Sequence, residues 1–215
     1  KGSYKFDKRE NNEDTEIARG MLKKAIELDE NLIMAKNWLG WTYYQTDDYD
    51  KAMEIYLPTL KQAEKLGDKV GMKTCLHNIG DVYKNKGDYA KALDYVVRSL
   101  KISEELGNKL GIGNSYHNFG VIYRSKADFD TAFDYHTRAL KIFEELGERD
   151  GMGISLQKIG IVYVDKQDYD KGLGYFKRSL KIFEELDDKF NIGESFFCIG
   201  NVYDEKCDYD KALDY

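Results

Sequence analysis

Along most of the chain, apolar residues recur at helical rather than strand spacing. Leu76, Ile79 and Tyr83, like Tyr116, Phe119 and Tyr123, stand at i, i+3 and i+7, which puts each set on one face of a helix. A second kind of stripe follows each of these: Leu93, Val96, Leu100 and Ser103, then Phe133, His136, Ala139, Leu140 and Phe143. The pattern predicts an all-α chain built from pairs of amphipathic helices. The pairs are in strict register. Glycines fall at 40, 80, 120, 160 and 200, each after a large apolar residue: Leu39, Ile79, Phe119, Ile159 and Ile199. Tyr43, Tyr83, Tyr123, Tyr163 and Tyr203 follow, and then Asp48, Asp88, Asp128, Asp168 and Asp208. An aromatic comes next in every copy (Tyr49, Tyr89, Phe129, Tyr169, Tyr209), and a small residue after it (Ala52, Ala92, Ala132, Gly172, Ala212).

The period is 40 residues, and 1–215 reads as a single array. Residues 13–32 form the second helix of a partial unit, 33–72, 73–112, 113–152 and 153–192 are full units, and 193–215 is a truncated one. Each pair is expected to turn near 46–49, 86–89, 126–129, 166–169 and 206–209. The aspartate before each aromatic is placed to cap the second helix, because its carboxylate accepts from unpaired amides of the first turn. Gly67, Gly107 and Gly147 fit left-handed C-caps, with Asp187 as the exception at the matching place. The glycines inside the first helices mark close approach of two backbones. Gly172, where alanine stands in the other copies, is expected to cost about 1 kcal/mol of helix propensity and to make the fourth unit the softest.

The segment Asn78-Ile79-Gly80-Asp81-Val82-Tyr83, with Gly87-Asp88-Tyr89 and Lys91-Ala92-Leu93, resembles the tetratricopeptide repeat family. That family is marked by a small residue in the first helix, an aromatic at the turn and alanines in the second helix. The resemblance covers nearly the whole chain. Thr59, Ser99 and Ser179 depart from it where Ala139 keeps a second family alanine. The period exceeds the usual ~34 residues because the second helix runs on through Glu104-Glu105-Leu106 or Glu144-Glu145-Leu146. It is similar in this to the lengthened repeats of kinesin light chains, Pins-type adaptors and many bacterial signalling proteins. The resemblance implies a right-handed superhelical solenoid whose first helices line a concave wall where ligands lie.

On that wall the first unit offers Asn37, Trp41 and Tyr44, and the second His77, Asn78, Asp81 and Lys84. The third offers Asn114, His117, Asn118 and Arg124; Gln157 and Ile161 follow, then Phe197 and Asn201. These are the candidate ligand-binding residues. Their amides would bond a peptide backbone, Lys84 and Arg124 would meet an acidic group, and apolar pockets would lie at both ends. Ordinary solvated helix surface accounts equally well for the polar members.

Composition narrows the function classes. With 33 basic and 39 acidic residues the net charge is −6, unfavourable for wrapping a phosphate backbone, so nucleic acid is not expected as a partner. The longest apolar run, 159–164, is far short of the ~20 residues of a membrane span, so no membrane partner is expected either. Cys75, Cys198 and Cys207 suggest neither a disulfide framework nor a zinc site, which fits a reducing, cytoplasmic setting. The chain reads as a piece of a longer protein. His77 and His117 sit in equivalent places, but stacked helices lie about 8–10 Å apart and zinc ligands must converge within about 2 Å of one ion. No metal or other cofactor is expected. His136 reads as a core residue, Cys75 as a small buried hydrophobe, and the turn aspartates as caps rather than paired catalytic carboxylates. No phosphate-binding glycine loop is present, and no acid, base and nucleophile converge, so no enzymatic activity is expected. The expected function is a protein- or peptide-binding scaffold, a regulatory or assembly module of a larger cytoplasmic signalling protein. The alternatives are a peptide-pheromone-type receptor domain, and self-association by end-to-end stacking through truncated repeats.

Overall fold

The computed structural model describes residues 8–215, with side chains from Asp14 onward. The start of the array assigned to residue 1 lies outside the described residues. Among the described residues there are eleven helices and no strand: α1 (Lys8–Leu28), α2 (Ile33–Tyr44), α3 (Tyr49–Leu66), α4 (Lys69–Asn85), α5 (Tyr89–Glu105), α6 (Lys109–Ser125), α7 (Phe129–Leu146), α8 (Arg149–Asp165), α9 (Tyr169–Leu186), α10 (Lys189–Glu205) and α11 (Tyr209–Asp214). From α2 onward they form successive hairpins that turn where the aspartate-aromatic pairs predict. The first helices begin earlier than the 73, 113, 153 and 193 boundaries, at Lys69, Lys109, Arg149 and Lys189. No helix among the described residues is long and apolar enough to cross a membrane.

From the end of α2 onward, one turn geometry joins each helix to the next. At the end of α2, Asp47 takes φ +59°, its N–H reaches Tyr44 O at 3.0 Å, and the N–H of Asp48 reaches back to Tyr43 O at 3.0 Å. This is the paired-bond C-terminal motif in which one left-handed residue satisfies the last carbonyls of a helix. Asp48 then caps α3 through its side chain, accepting from the N–H of Lys51. One residue therefore closes one helix and opens the next. The same device closes α3: Gly67 has φ +69°, Asp68 N–H bonds Ala63 O at 2.9 Å, and the Asp68 carboxylate accepts from Gly71 N–H at 2.9 Å. Left-handed residues recur at 47, 67, 87, 107, 127, 147, 167, 187 and 207, each followed by an acidic residue or asparagine. The 40-residue repeat is thus two structurally equivalent half-repeats.

The caps differ in quality. Lys51, Lys91, Lys171 and Lys211 each pair with the capping aspartate three residues before, at 2.5 to 2.8 Å. Those side-chain bonds come first among the causes that hold Asp48, Asp88, Asp168 and Asp208 below the usual carboxylate range. Glu148, at the start of α8, makes no side-chain cap bond, whereas Asp68, Asn108 and Asp188 do at the same place.

By internal contacts the chain forms two compact units, one ending at Ile102 and the other starting at Ser103. The first unit's core gathers Ile33, Ala52, Tyr56, Leu60, Ala63, Cys75, Leu76, Ile79, Val82 and Ile102. The second has a cluster of Leu140, Leu156, Ile159 and Ile182 and another of Leu173, Phe176, Ile199 and Val202. The tyrosine three residues after the first-helix glycine stacks on a tyrosine of the partner helix: Tyr83 on Tyr95, Tyr123 on Tyr135, Tyr163 on Tyr175 and Tyr203 on Tyr215, with centroids 5.4 to 5.7 Å apart. Tyr43 instead receives the Arg19 guanidinium of α1, 4.1 Å from its centroid.

The first-helix glycines serve a purpose partly different from backbone contact. At Gly40 an added Cβ would strike the Tyr56 ring; at Gly120 it would lie 2.5 Å from His136, and at Gly160 2.7 Å from Phe176. At these three positions the glycine is a socket for a large side chain of the second helix, whereas a Cβ on Gly80 or Gly200 would meet Ala92 O or Ala212 O at 3.5 and 3.6 Å. Backbone approach matters in the fourth unit, where a Cβ on Gly160 would come within 3.2 Å of Gly172 O and one on Gly172 equally close to Gly160 O. Gly172 is therefore fitted to its neighbour, and a methyl there would also lie 2.7 Å from Val164 Cγ2. Ser179 replaces the family alanine with a buried hydroxyl that donates to Gly153 O at 2.8 Å.

His136 fills its socket with no exposed surface, and neither ring nitrogen has a hydrogen-bond partner. Burial pushes its imidazole well below the usual histidine range, and His117, Lys158 and Arg124 add to the effect. The folded state therefore takes up its proton later than the unfolded chain. Stability is complete above the unfolded value of about 6.5 and is lost as pH falls below it, by up to about 1.4 kcal/mol per unit.

Three outcomes are expected in thermal unfolding. His136→Phe, which copies Phe176, flattens the decline between about pH 6.5 and 5 and gains about 1 kcal/mol at pH 7 by removing two unsatisfied nitrogens; identical pH profiles would show that the imidazole is already charged when folded. Glu148→Asp supplies the missing cap and raises stability by about 0.5–1 kcal/mol, and an unchanged Tm would mean that the α8 amides are satisfied otherwise. Gly172→Ala lowers the Tm, because overpacking of about 1–3 kcal/mol exceeds the propensity gain of about 1 kcal/mol. A rise in Tm would place propensity above packing at that contact.

Candidate functional site

In the first unit, α2 and α4 carry the predicted stripe. The i, i+4, i+7 spacing of Met34, Trp38 and Trp41 sets them on one face of α2, opposite the side that buries Ile33 and Leu39. Trp38 and Trp41 remain 53% and 41% exposed and meet edge to face with centroids 5.6 Å apart. Asn37 is buried instead: its Nδ2 donates to Ile33 O, and its Oδ1 accepts from Asn78 Nδ2 at 3.4 Å. Trp41, Tyr44, His77, Asn78 and Asp81 are brought together around a cavity of about 120 Å³. Its sixth lining residue is Tyr56 of α3, fully buried, whose hydroxyl has no hydrogen-bond partner within the protein.

Charge at this cavity centres on Asp81. Lys84 Nζ lies 3.1 Å from Asp81 Oδ1, and His77 Nε2 lies 3.5 Å from Oδ2. Lys84, predicted to await an acidic ligand, is thus held one helical turn away by its own carboxylate. Burial raises the Tyr44 phenol, and Asp81 raises it further. Burial pushes up the Tyr56 phenol too, again with Asp81 next, so both stay protonated. Asn85 Nδ2 donates to Tyr44 Oη at 3.0 Å and to Tyr49 Oη at 3.3 Å, fixing the Tyr44 ring against the hairpin turn.

In the second unit the predicted residues are more dispersed. Asn114 is exposed, and His117 and Asn118 are half-buried, with the His117 ring 5.1 Å from His136. Arg124 is engaged by Asp165 of the next first helix, Nη2 to Oδ1 at 3.1 Å with a second bond from Nε to Oδ2. Gln157 is buried, with Nε2 unpartnered, and Ile161 packs against the Phe176 cluster. Phe197, 68% exposed, and Asn201 line an open trough of about 490 Å³ with Phe196, Asp204, Tyr209 and Tyr215.

Tyr56 is the site residue that the stripe argument missed. It sits on the second helix, where the repeat register places Val96, His136 and Phe176 in the other copies. A hydroxyl-bearing ring in that socket was the available signal. Cys75 is buried, and burial pushes its thiol up to about 11, which leaves it a poor nucleophile near neutral pH. Among the described residues no three histidine, cysteine or acidic side chains converge as metal ligands would.

The tetratricopeptide repeat profile matches residues 31–105, 74–145 and 152–215. No curated protein sequence matches the chain. Solved structures similar to it include BtubC from P. vanneervenii, at 21% identity and TM-score 0.72 over 93% of this chain and 84% of that one. A signal transduction ATPase with a tetratricopeptide repeat sensor, from Pyrococcus horikoshii, aligns at 22% identity and TM-score 0.75, covering 91% of this chain and 30% of that protein. A Rap protein complexed with competence and sporulation factor aligns at 19% identity and TM-score 0.75, over 91% of this chain and 55% of its own. At these identities the likeness is one of fold, and the chain spans about a third of the ATPase and about half of the Rap protein.

Proposed function

We propose, from the premise that this chain belongs to the tetratricopeptide repeat family, that it captures a peptide segment of a partner protein on the exposed faces of its first helices. The observation that carries this reading is the Trp38–Trp41 pair. Two large rings stand half in solvent on a helix whose other face is fully packed, beside a cavity lined by polar groups. Exposed tryptophans beside hydrogen-bonding groups are the usual composition of an interface hot spot. The second unit, taken by itself, offers Asn114, Asn118, Ile161, Phe197 and Asn201, with amides for a peptide backbone and apolar surface for its side chains. Arg124 would meet an acidic group only by sharing it with Asp165. Asn37 and Gln157 would act from beneath the surface, as supports.

A regulatory or assembly arm of a larger cytoplasmic signalling protein fits this reading. Support comes from neighbours described as the sensor of a signal transduction ATPase and as a Rap protein bound to a factor. The family's usual role is also binding rather than catalysis, although fold by itself names no ligand.

The test uses a partner obtained by affinity capture and then titrated by calorimetry. Trp41→Ala is expected to weaken it at least tenfold, the size of a hot-spot loss of about 2 kcal/mol. Val97→Ala, at a more exposed position but on the second helix α5, is expected to leave affinity within about twofold. If Val97→Ala weakens binding and Trp41→Ala does not, the partner lies on the second-helix faces and this reading fails.

A further inference from the structure

The cavity between α2, α3 and α4 combines three features found nowhere else among the described residues. It is lined by a fully buried phenol whose hydroxyl lacks a partner, by a carboxylate, and by two further aromatic residues. A buried hydroxyl left unsatisfied is destabilising, and the same position holds valine, histidine or phenylalanine in other copies of the repeat. Tyr56 therefore carries an oxygen that packing does not require.

The lining selects the sign of the ligand. Its one carboxylate is Asp81, already paired with the Lys84 ammonium one turn along α4 at 3.1 Å. The carboxylate oxygens offer about four acceptor sites, and Lys84 and His77 occupy only part of them. Asn78 directs its Nδ2 to Asn37, which leaves its own carbonyl oxygen as an acceptor. The Tyr56 oxygen is an acceptor as well, and Trp41 and Tyr44 add two aromatic rings, groups that attract cations. An anion would meet Asp81 at close range in a poorly solvated site. A cation meets the carboxylate, the Asn78 and Tyr56 oxygens and two aromatic rings. Volume sets a lower bound on size: about 120 Å³ is enough for an ammonium with its last methylenes. An ammonium has three N–H donors, matching the three acceptors of Asp81, Tyr56 and Asn78.

We propose that this cavity is a subsite for a primary alkylammonium, the side-chain end of a lysine in the bound peptide, held by Asp81 and the Tyr56 hydroxyl oxygen against the rings of Trp41 and Tyr44. It rests on the groove reading above for its source of lysine, but its chemistry is testable without the native partner. Both tryptophans of the chain lie on α2, so their indole N–H resonances report on the site directly.

The full chain is titrated at constant ionic strength with n-butylammonium chloride, sodium butyrate, and a blocked pentapeptide of alanines with a central lysine. The expected result is a saturable shift of the Trp41 resonance with butylammonium and none with butyrate. The peptide is expected to bind at least threefold tighter than the free amine; equal affinities would assign the site to a free amine and overturn the peptide source. Asp81→Asn, which keeps shape and removes charge, should weaken both cations at least fivefold. Tyr56→Phe should weaken them while keeping or raising the Tm, a combination that a purely structural role for the hydroxyl does not produce. Butyrate competing with butylammonium, or wild-type affinity in Asp81→Asn, would overturn the proposal. A captured native partner that needs Trp41 but is indifferent to Asp81→Asn would also overturn it while leaving the groove reading intact.

Discussion

Everything in this chain depends on a turn in which one residue ends a helix and the next begins another. Asp48 donates its N–H to Tyr43 O and accepts the Lys51 N–H with its carboxylate, and Asp68 repeats both bonds with Ala63 and Gly71. A helix end leaves four amides or four carbonyls unpaired, and sharing one residue between two ends satisfies both within a minimal connection. With no slack in the turns, each helix length is fixed, and with it the register at which one face meets the next. The cost is a left-handed residue at every turn from α2 onward. It is small for Gly67, Gly87, Gly107 and Gly147 and larger for Asp47, Ala127, Gln167, Asp187 and Cys207.

Fixed register permits sockets. Because Gly40, Gly120 and Gly160 arrive opposite the same position of the partner helix, a Tyr, His or Phe ring can lie directly on the helix backbone. Packing requires only that the group be flat and large, so the identity of the ring is free to carry chemistry. Phe176 uses none of that freedom. His136 uses it at the expense of acid stability, and Tyr56, whose hydroxyl has no partner within the protein, joins residues of the first helices in lining a cavity.

The internal copies separate scaffold from surface. Positions 43, 83, 123, 163 and 203 are all tyrosine, and each ring is covered by a partner ring or a cation. Positions 41, 81, 121, 161 and 201 are Trp, Asp, Val, Ile and Asn. The first column is set by a contact made in every hairpin. The second is exposed or half-buried, with Ile161 alone of these named as packing on a core cluster, and no contact common to all hairpins sets it. Variation there is what a surface recognising a non-repetitive ligand requires, and it concentrates the candidate chemistry on α2 and α4.

The sequence by itself determined the helical pairs, their turns, the capping aspartates and the left-handed glycines, because each follows from interactions among residues a few positions apart. It also marked the stripe on the first helices, since helical periodicity alone assigns a residue to one face or the other. Tertiary structure decided how deep each stripe residue sits. Asn37 and Gln157 share the periodicity of Trp41 and Ile161 yet are buried, because neighbouring helices cover them. It also decided that Lys84 and Arg124 are already paired, with Asp81 and Asp165. For Arg124 the partner is on the next first helix, 41 residues along the chain. That the glycines are sockets for rings, and that Tyr56 reaches a cavity with Asp81, depends on side chains from three helices meeting at one point. No local pattern encodes such a meeting, because it is fixed by how the helices pack rather than by how any one of them forms.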